Sequence, residues 1–292
     1  MYWRKVNLTC NSVDANLIEE ILIGYEAISI SLFDEIGDFP IYEPKLGETP
    51  LWSSIKICAL FDKDITKGTI VMILKDISYT NLTISKLENQ NWVKKYQENF
   101  KPIQFGERLW VVPSWYSEFK EKGRINLKLD PGMAFGSGSH ETTHLCLEYL
   151  EKAKLDGLTI LDYGCGSGIL SIASLLMEAK EAIAIDIDPQ ALTATMNNSK
   201  INNVYDNISI GLPGSFSDTR ADVLVANILT NSLIDLRDEF INTTKANGKL
   251  ILSGVKGSQV ELLIKSYDKF AKLISMKERN DWFLLEFINN KK

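Results

Sequence analysis

Three glycines at alternate positions, Gly164, Gly166 and Gly168, separate a short apolar run (159–163) from a segment with apolar residues at helical spacing (169–177). Glycine there removes side chains where a nucleotide-like ligand must lie on the backbone, and permits dihedrals that other residues resist. A helix opening at Ile169 turns unpaired N–H groups towards the loop, which favours a ligand carboxylate or phosphate. Asp186 stands at the tip of the next apolar run, 182–187. A carboxylate at that place can accept both hydroxyls of an adenosine ribose, each such bond contributing roughly 1.5–3 kcal/mol. Asp162, just before the first glycine, suits a cationic ligand group such as the amino group of a methionine moiety, and would repel a pyrophosphate. The dinucleotide fingerprint G-x-G-x-x-G fails, because its third glycine falls on Ile169. Asn227 closes another apolar run and offers one acceptor and two donors. It could hold an adenosine or methionine group, or orient an incoming amine. A plain glycine turn in a ligand-free sheet is the bland alternative; Asp162 and Asp186 in register argue against it.

A second constellation competes. His140-Glu141-Thr142-Thr143-His144 spells H-E-x-x-H, the zinc site of metallopeptidases, and would place both imidazoles on one helical face. The chain has 2 histidines, so a third ligand would have to be Asp, Glu or Cys. His140 stands at the exit of the glycine- and serine-rich segment 129–140, ahead of a helix over 141–152 whose caps are expected at Ser139 or Thr142. No metal is expected.

The elements that must position these residues follow from periodicity. Strands are expected over 159–163, 182–187, 208–211, 222–226, 249–253, 273–277 and 282–288, with helices over 190–200, 233–240 and 259–270 and a turn at Asn247-Gly248. Such alternation ending in a hairpin predicts a doubly wound α/β sheet with its ligand crevice at the carboxyl ends of the strands. Residues 1–88 read differently: strands over 2–9, 27–33, 55–61 and 82–87, helices over 13–24 (capped by Ser12) and 67–75, in β-α-β-β-α-β order. That order is ferredoxin-like. No catalytic cluster appears in it, which suggests a binding module. A connecting helix is expected over 91–100, within a linker of 89–101, and a strand over 108–112 opens the second domain, 102–292.

Composition narrows the classes. A net charge of −6 argues against nucleic-acid binding and mildly favours basic partners. The 4 cysteines form no C-x-x-C pair, so neither a disulfide framework nor a zinc ribbon is indicated. Without a signal-peptide pattern or an apolar run of bilayer length, a soluble, cytoplasmic protein is expected.

The glycine loop with its acidic flank resembles the first motif of class I S-adenosylmethionine-dependent methyltransferases. Further stretches narrow this: LDPGMAFGSGSHETTHLCLEYLE (129–151), ILDYGCGSGILSIASLLMEA (160–179), IDIDPQAL (185–192), VANIL (225–229), LSGVKGSQ (252–259), GETPLW (47–52) and GERLWVVPSW (106–115). Together they resemble the PrmA family, methyltransferases of large-subunit ribosomal protein eleven, over nearly the whole chain. The resemblance implies a seven-stranded class I methyltransferase (Rossmann-like) domain preceded by a small ferredoxin-like α+β domain that recruits the substrate. It implies S-adenosyl-L-methionine as cofactor, contacted by Thr143, Gly164, Asp186 and Asn227, and transfer to lysine ε-amines and the N-terminal α-amine of that ribosomal protein. A monomer is expected, and no catalytic acid or base is identified. The chain departs from the family pattern at Glu141, where proline is usual, at Ser137 and Ser139, which replace threonines, and at Asn231-Ser232. These last two bear on the choice of target amine.

Overall fold

The computed structural model describes residues 2–37, 50–88, 101–129 and 138–291. The chain divides into two compact units, Met1–Lys95 and Tyr96–Lys292. The linker helix expected over 91–100 and most of the glycine- and serine-rich segment 129–140 lie outside the described residues.

In the first unit, β1 (Tyr2–Asn11), β2 (Ser29–Asp34), β3 (Ser54–Phe61) and β4 (Thr80–Glu88) form an antiparallel sheet in the order β2-β3-β1-β4. With α1 (Ser12–Gly24) and α2 (Lys67–Ile73), this is the ferredoxin-like arrangement. Strand alternation turns Val6, Leu8 and Cys10 inward to meet Ala15, Ile18 and Leu22, the helical stripe of α1. The α1 cap is Asn11 rather than Ser12: its side chain accepts the Asp14 N–H at 2.9 Å, and Ser12 becomes the first helical residue. Asn is at least as good a cap, and β1 runs directly into the helix.

The second unit opens with a small sheet, β5 (Ile103–Phe105), β6 (Leu109–Val112) and β7 (Ile125–Lys128). Of these the sequence revealed β6, whose LWVV is apolar throughout, whereas β5 (IQF) and β7 (INLK) are short and interrupted by polar residues. The main sheet holds seven strands in the order β10-β9-β8-β11-β12-β14-β13. These are β8 (Thr159–Tyr163), β9 (Glu181–Ile185), β10 (Ile208–Gly211), β11 (Ala221–Asn227), β12 (Thr244–Lys256), β13 (Ala271–Arg279) and β14 (Trp282–Asn289). β14 runs antiparallel to both its neighbours, β12 and β13, and the other pairings in the sheet are parallel. This is the seven-stranded doubly wound sheet that the sequence resemblance implies. One apolar layer joins the sheet to α3 (Glu141–Lys152), α4 (Ile169–Leu176) and part of α5 (Pro189–Ile201). The opposite layer joins it to α6 (Thr230–Asp235), α7 (Arg237–Thr243) and α8 (Val260–Tyr267).

Two expectations change. The single helix over 233–240 is broken at Leu236, whose φ of −86° and ψ of 1° leave the helical region. Its apolar spacing continues through the break with Leu233, Phe240 and Ile241 all buried, so periodicity could not reveal it. Asn247-Gly248 falls inside β12, at the irregularity between the pairs Ala221–Thr244 and Val223–Lys249.

Candidate active site

The sheet register sets the site. Tyr163 pairs with Ile185 on one side and with Ala226 on the other. The residues that follow, Gly164, Asp186 and Asn227, therefore form one row at the carboxyl edge. Strand order reverses between β8 and β11, the place where open α/β sheets bind ligands. Gly164 (φ 79°) turns here, its N–H and that of Cys165 donating to the Ile185 carbonyl at 2.8 and 3.0 Å. A Cβ on Gly164 would overlap the Ile228 side chain. The loop is held from behind by α5. Thr195 Oγ1 donates to the Gly166 carbonyl at 3.0 Å, and Asn198 Nδ2 to the Ser167 carbonyl at 2.8 Å.

Both carboxylates bind the loop. Asp186 accepts the Gly166 N–H on Oδ2 and the Asp188 N–H on Oδ1, each at 2.9 Å, and each oxygen keeps a second lone pair. Asp162 is fully buried. Its Oδ2 accepts the Ser171 N–H at 3.0 Å and the Ser171 hydroxyl at 2.7 Å. An N–H in the first turn of α4, expected to face a ligand anion, is thus taken by Asp162. Its Oδ1 is buried with no hydrogen-bond partner. Burial pushes this carboxyl up to about 6; the Ser171 hydrogen bonds oppose the rise and the Asp186 charge adds to it. An orphaned carboxylate oxygen beside a glycine cradle fits a cationic ligand group.

Asn227 Nδ2 donates to Thr143 Oγ1 at 3.4 Å, bringing the end of β11 to the first turn of α3. Next to them opens a cavity of about 440 Å³, lined in part by His140, Asn227, Ile228, Leu229, Ser232 and Trp282. Its wall is mainly apolar. The cap of α3 is neither Ser139 nor Thr142 but His140, whose Nδ1 accepts the Thr142 N–H at 3.3 Å. Burial holds this imidazole below the usual histidine range; the Glu141 charge opposes the shift and Lys256 reinforces it. A neutral ring accepting at Nδ1 carries its proton on Nε2. The other members of the zinc-like motif go elsewhere. Glu141 binds Arg279 and Asn280, while His144 Nε2 pairs with Glu148 at 3.0 Å with its ring against Phe105. Among the described residues, no group of three or more His, Cys, Asp or Glu is placed to hold a metal ion.

A family model described as ribosomal protein L11 methyltransferase (PrmA) matches residues 2–290. The chain belongs to this family. Relatives named ribosomal protein L11 methyltransferase from Shewanella sp. (strain ANA-3) and Shewanella baltica (strain OS195) are each 40% identical over 287 residues, 97% of this chain and 97% of theirs. The solved structure of the ribosomal protein L11 methylase from Lactobacillus delbrueckii subsp. bulgaricus matches with a TM-score of 0.61 at 30% identity, covering 66% of this chain and 100% of that one. Membership makes the chain a methyltransferase with S-adenosylmethionine as its methyl donor. The zinc-peptidase alternative gains no support from these matches.

For this PrmA-family enzyme, the fold brings Gly164, Asp186 and Asn227 to one strand edge, and Thr143 to Asn227. Sequence reasoning missed Thr195 and Asn198, although small polar residues on the inner face of a helix were their signal. It also missed Trp282, which periodicity placed simply as the start of a strand.

Proposed function

We propose that this enzyme transfers methyl groups to lysine ε-amines and the N-terminal α-amine of large-subunit ribosomal protein L11, acting as a cytoplasmic monomer that does not bind nucleic acid. Identity of 40% over 97% of both chains with relatives named for that activity carries the reading. When bound, S-adenosylmethionine supplies an electrophilic methyl group on a sulfonium. Asp186 offers its remaining lone pairs to the ribose hydroxyls, and the orphaned Asp162 Oδ1 offers itself to the amino group. Gly164 leaves the backbone bare, and Thr143 and Asn227 close the site at the end of β11. Ile187, 79% exposed immediately after Asp186, leaves apolar surface for the adenine.

A lysine amine is protonated at neutral pH, its pKa being about 10.4 in water. The apolar cavity disfavours the ammonium and so favours the neutral amine. The Asn227 carboxamide orients the incoming N–H groups. His140 does not serve as a general base, because its Nδ1 lone pair caps α3. The proton passes to water, and orientation supplies most of the acceleration. Recognition of the ribosomal protein falls to the domain of residues 1–88, joined by a linker over 89–101 to the catalytic domain, 102–292. Helix α1 leaves Val13, Leu17 and Ile23 uncovered there, apolar surface suited to a protein partner.

Intact-mass spectrometry of unmethylated L11 incubated with the enzyme and S-adenosylmethionine tests this. Mass gains in methyl-sized steps are expected, and their absence with an Asp186→Ala variant. No gain for wild type with cofactor binding intact would overturn the substrate assignment.

A further inference from the structure

The turn between β13 and β14 is built from Asn280 and Asp281, both left-handed (φ 50° and 63°), with Arg279 and Trp282 paired across it. Asn and Asp adopt such dihedrals more readily than other non-glycine residues, and a two-residue loop left-handed at both positions suits the twist of a hairpin. Two anchors fasten this one. On one side, Asn280 Nδ2 donates to Glu141 Oε1 at 2.8 Å and Arg279 Nε donates to Glu141 Oε2. The two donors hold the Glu141 carboxyl below the usual range, so it is ionised at working pH. On the other side, Asp281 lies 3.5 Å from Lys256 Nζ, and its carbonyl accepts the Gly257 N–H at 3.2 Å. A Cβ on Gly257 would overlap the Asp281 carboxylate.

Trp282 emerges directly from this turn. Its ring lies under Lys256 Nζ, 4.2 Å from the centroid, and meets the His140 ring edge-on at 5.0 Å. Both rings line the cavity that also holds Asn227. Glu141 is adjacent to His140 in the chain and reaches the turn beside Trp282 in space. One carboxylate therefore ties together both aromatic members of the wall.

We propose that Glu141 is a positioning residue: by gripping Arg279 and Asn280 it fixes Trp282 against His140 and sets the shape of the cavity that receives the substrate amine. This rests on the reading that the amine enters there. Neither Glu141 nor Arg279 lines the cavity, so Glu141 acts on the acceptor through the wall that it positions.

Three variants test it: Glu141→Ala, Glu141→Gln, and the exchanged pair Glu141→Arg with Arg279→Glu. Glu141→Ala should raise KM for the protein substrate about three- to tenfold, the scale of a half-exposed charge-assisted pair, with kcat and S-adenosylhomocysteine affinity unchanged. Glu141→Gln should fall between, and the exchanged pair should recover at least half the loss. Amide deuterium uptake across 279–283 should rise in Glu141→Ala while uptake across 159–163 stays at the wild-type level. Unchanged uptake at the turn would overturn the clamp, and raised uptake with unaltered KM would overturn its role in acceptor binding. If wild type fails to methylate L11, the substrate assignment fails, and the exchange measurement by itself still decides the clamp.

Discussion

Asn227 and Thr143, 84 residues apart in the chain, meet through a single 3.4 Å hydrogen bond from the carboxamide to the hydroxyl. Thr143 is 1% exposed, so its hydroxyl is fixed by packing, while Asn227 stands half-buried at the cavity. The bond is long, and it orients the carboxamide more than it stabilises the fold. Thr143→Val, which keeps the shape and removes the hydroxyl, should lower kcat about tenfold, as expected when a positioning contact is lost. Thr143→Ser should stay near wild type. Asn227→Ala should cost more, and adding Thr143→Val to it should cost nothing further. Single-turnover methylation of L11 reads all four; additive losses would mean that the two side chains act separately.

Ile228 lies between two glycines, and they should fail differently. At Gly164 (φ 79°) a Cβ meets the Ile228 side chain, which can rotate away. At Gly254 (φ 90°) a Cβ meets the Ile228 carbonyl, which cannot move without the backbone. Gly164→Ala should cost roughly 1–2 kcal/mol of stability, mostly the left-handed dihedral, yet lose cofactor binding. Gly254→Ala should cost roughly 2–5 kcal/mol, an overpacking cost of about 1–3 added to about 1–2 for the left-handed dihedral. Urea unfolding of both variants, with calorimetric titration of S-adenosylhomocysteine, separates the two. The reverse ranking would show that the end of β12 yields more readily than the glycine loop.

The row of Gly164, Asp186 and Asn227 was legible in the sequence because each follows a short apolar run, and such runs end at the same edge of a parallel sheet. The alternation of strands and helices fixed which edge that was. The Thr143–Asn227 contact was not legible from spacing: it depends on how α3 settles on the sheet, and only the family resemblance named Thr143. The cap of α3 was misplaced because Ser139 and Thr142 are the better cap types, whereas His140 takes the position through its ring nitrogen. The wall formed by His140 and Trp282 joins residues from opposite ends of the domain, and no local pattern announces it. Asp162 was legible as an acid, but not its division of labour. Only the fold shows that one oxygen caps α4 while the other is left over.

That leftover oxygen makes cofactor affinity depend on pH. Burial holds the Asp162 carboxyl at about 6 in the ligand-free protein, against 3.8 for an unperturbed aspartate. A cationic group bound at Oδ1 favours the carboxylate, so the bound-state pKa lies below 6. Above that pH the free site is already ionised and affinity is flat. As pH falls through about 6, binding must expel a proton, and affinity drops by up to about tenfold per unit. Stability runs the other way. The folded pKa lies above the unfolded one, so the folded state binds the proton more tightly between 3.8 and about 6. This group's contribution to stability is therefore greatest below 3.8 and is lost as pH rises through about 6. Calorimetric titration with S-adenosylhomocysteine between about pH 7.5 and 5 should show weakening affinity, with proton release read from a binding heat that varies with the buffer's ionisation enthalpy. Asp162→Asn should bind weakly throughout with a flat profile. A variant that still weakens with the wild-type slope would assign the titration to another group, with His140 the first to replace.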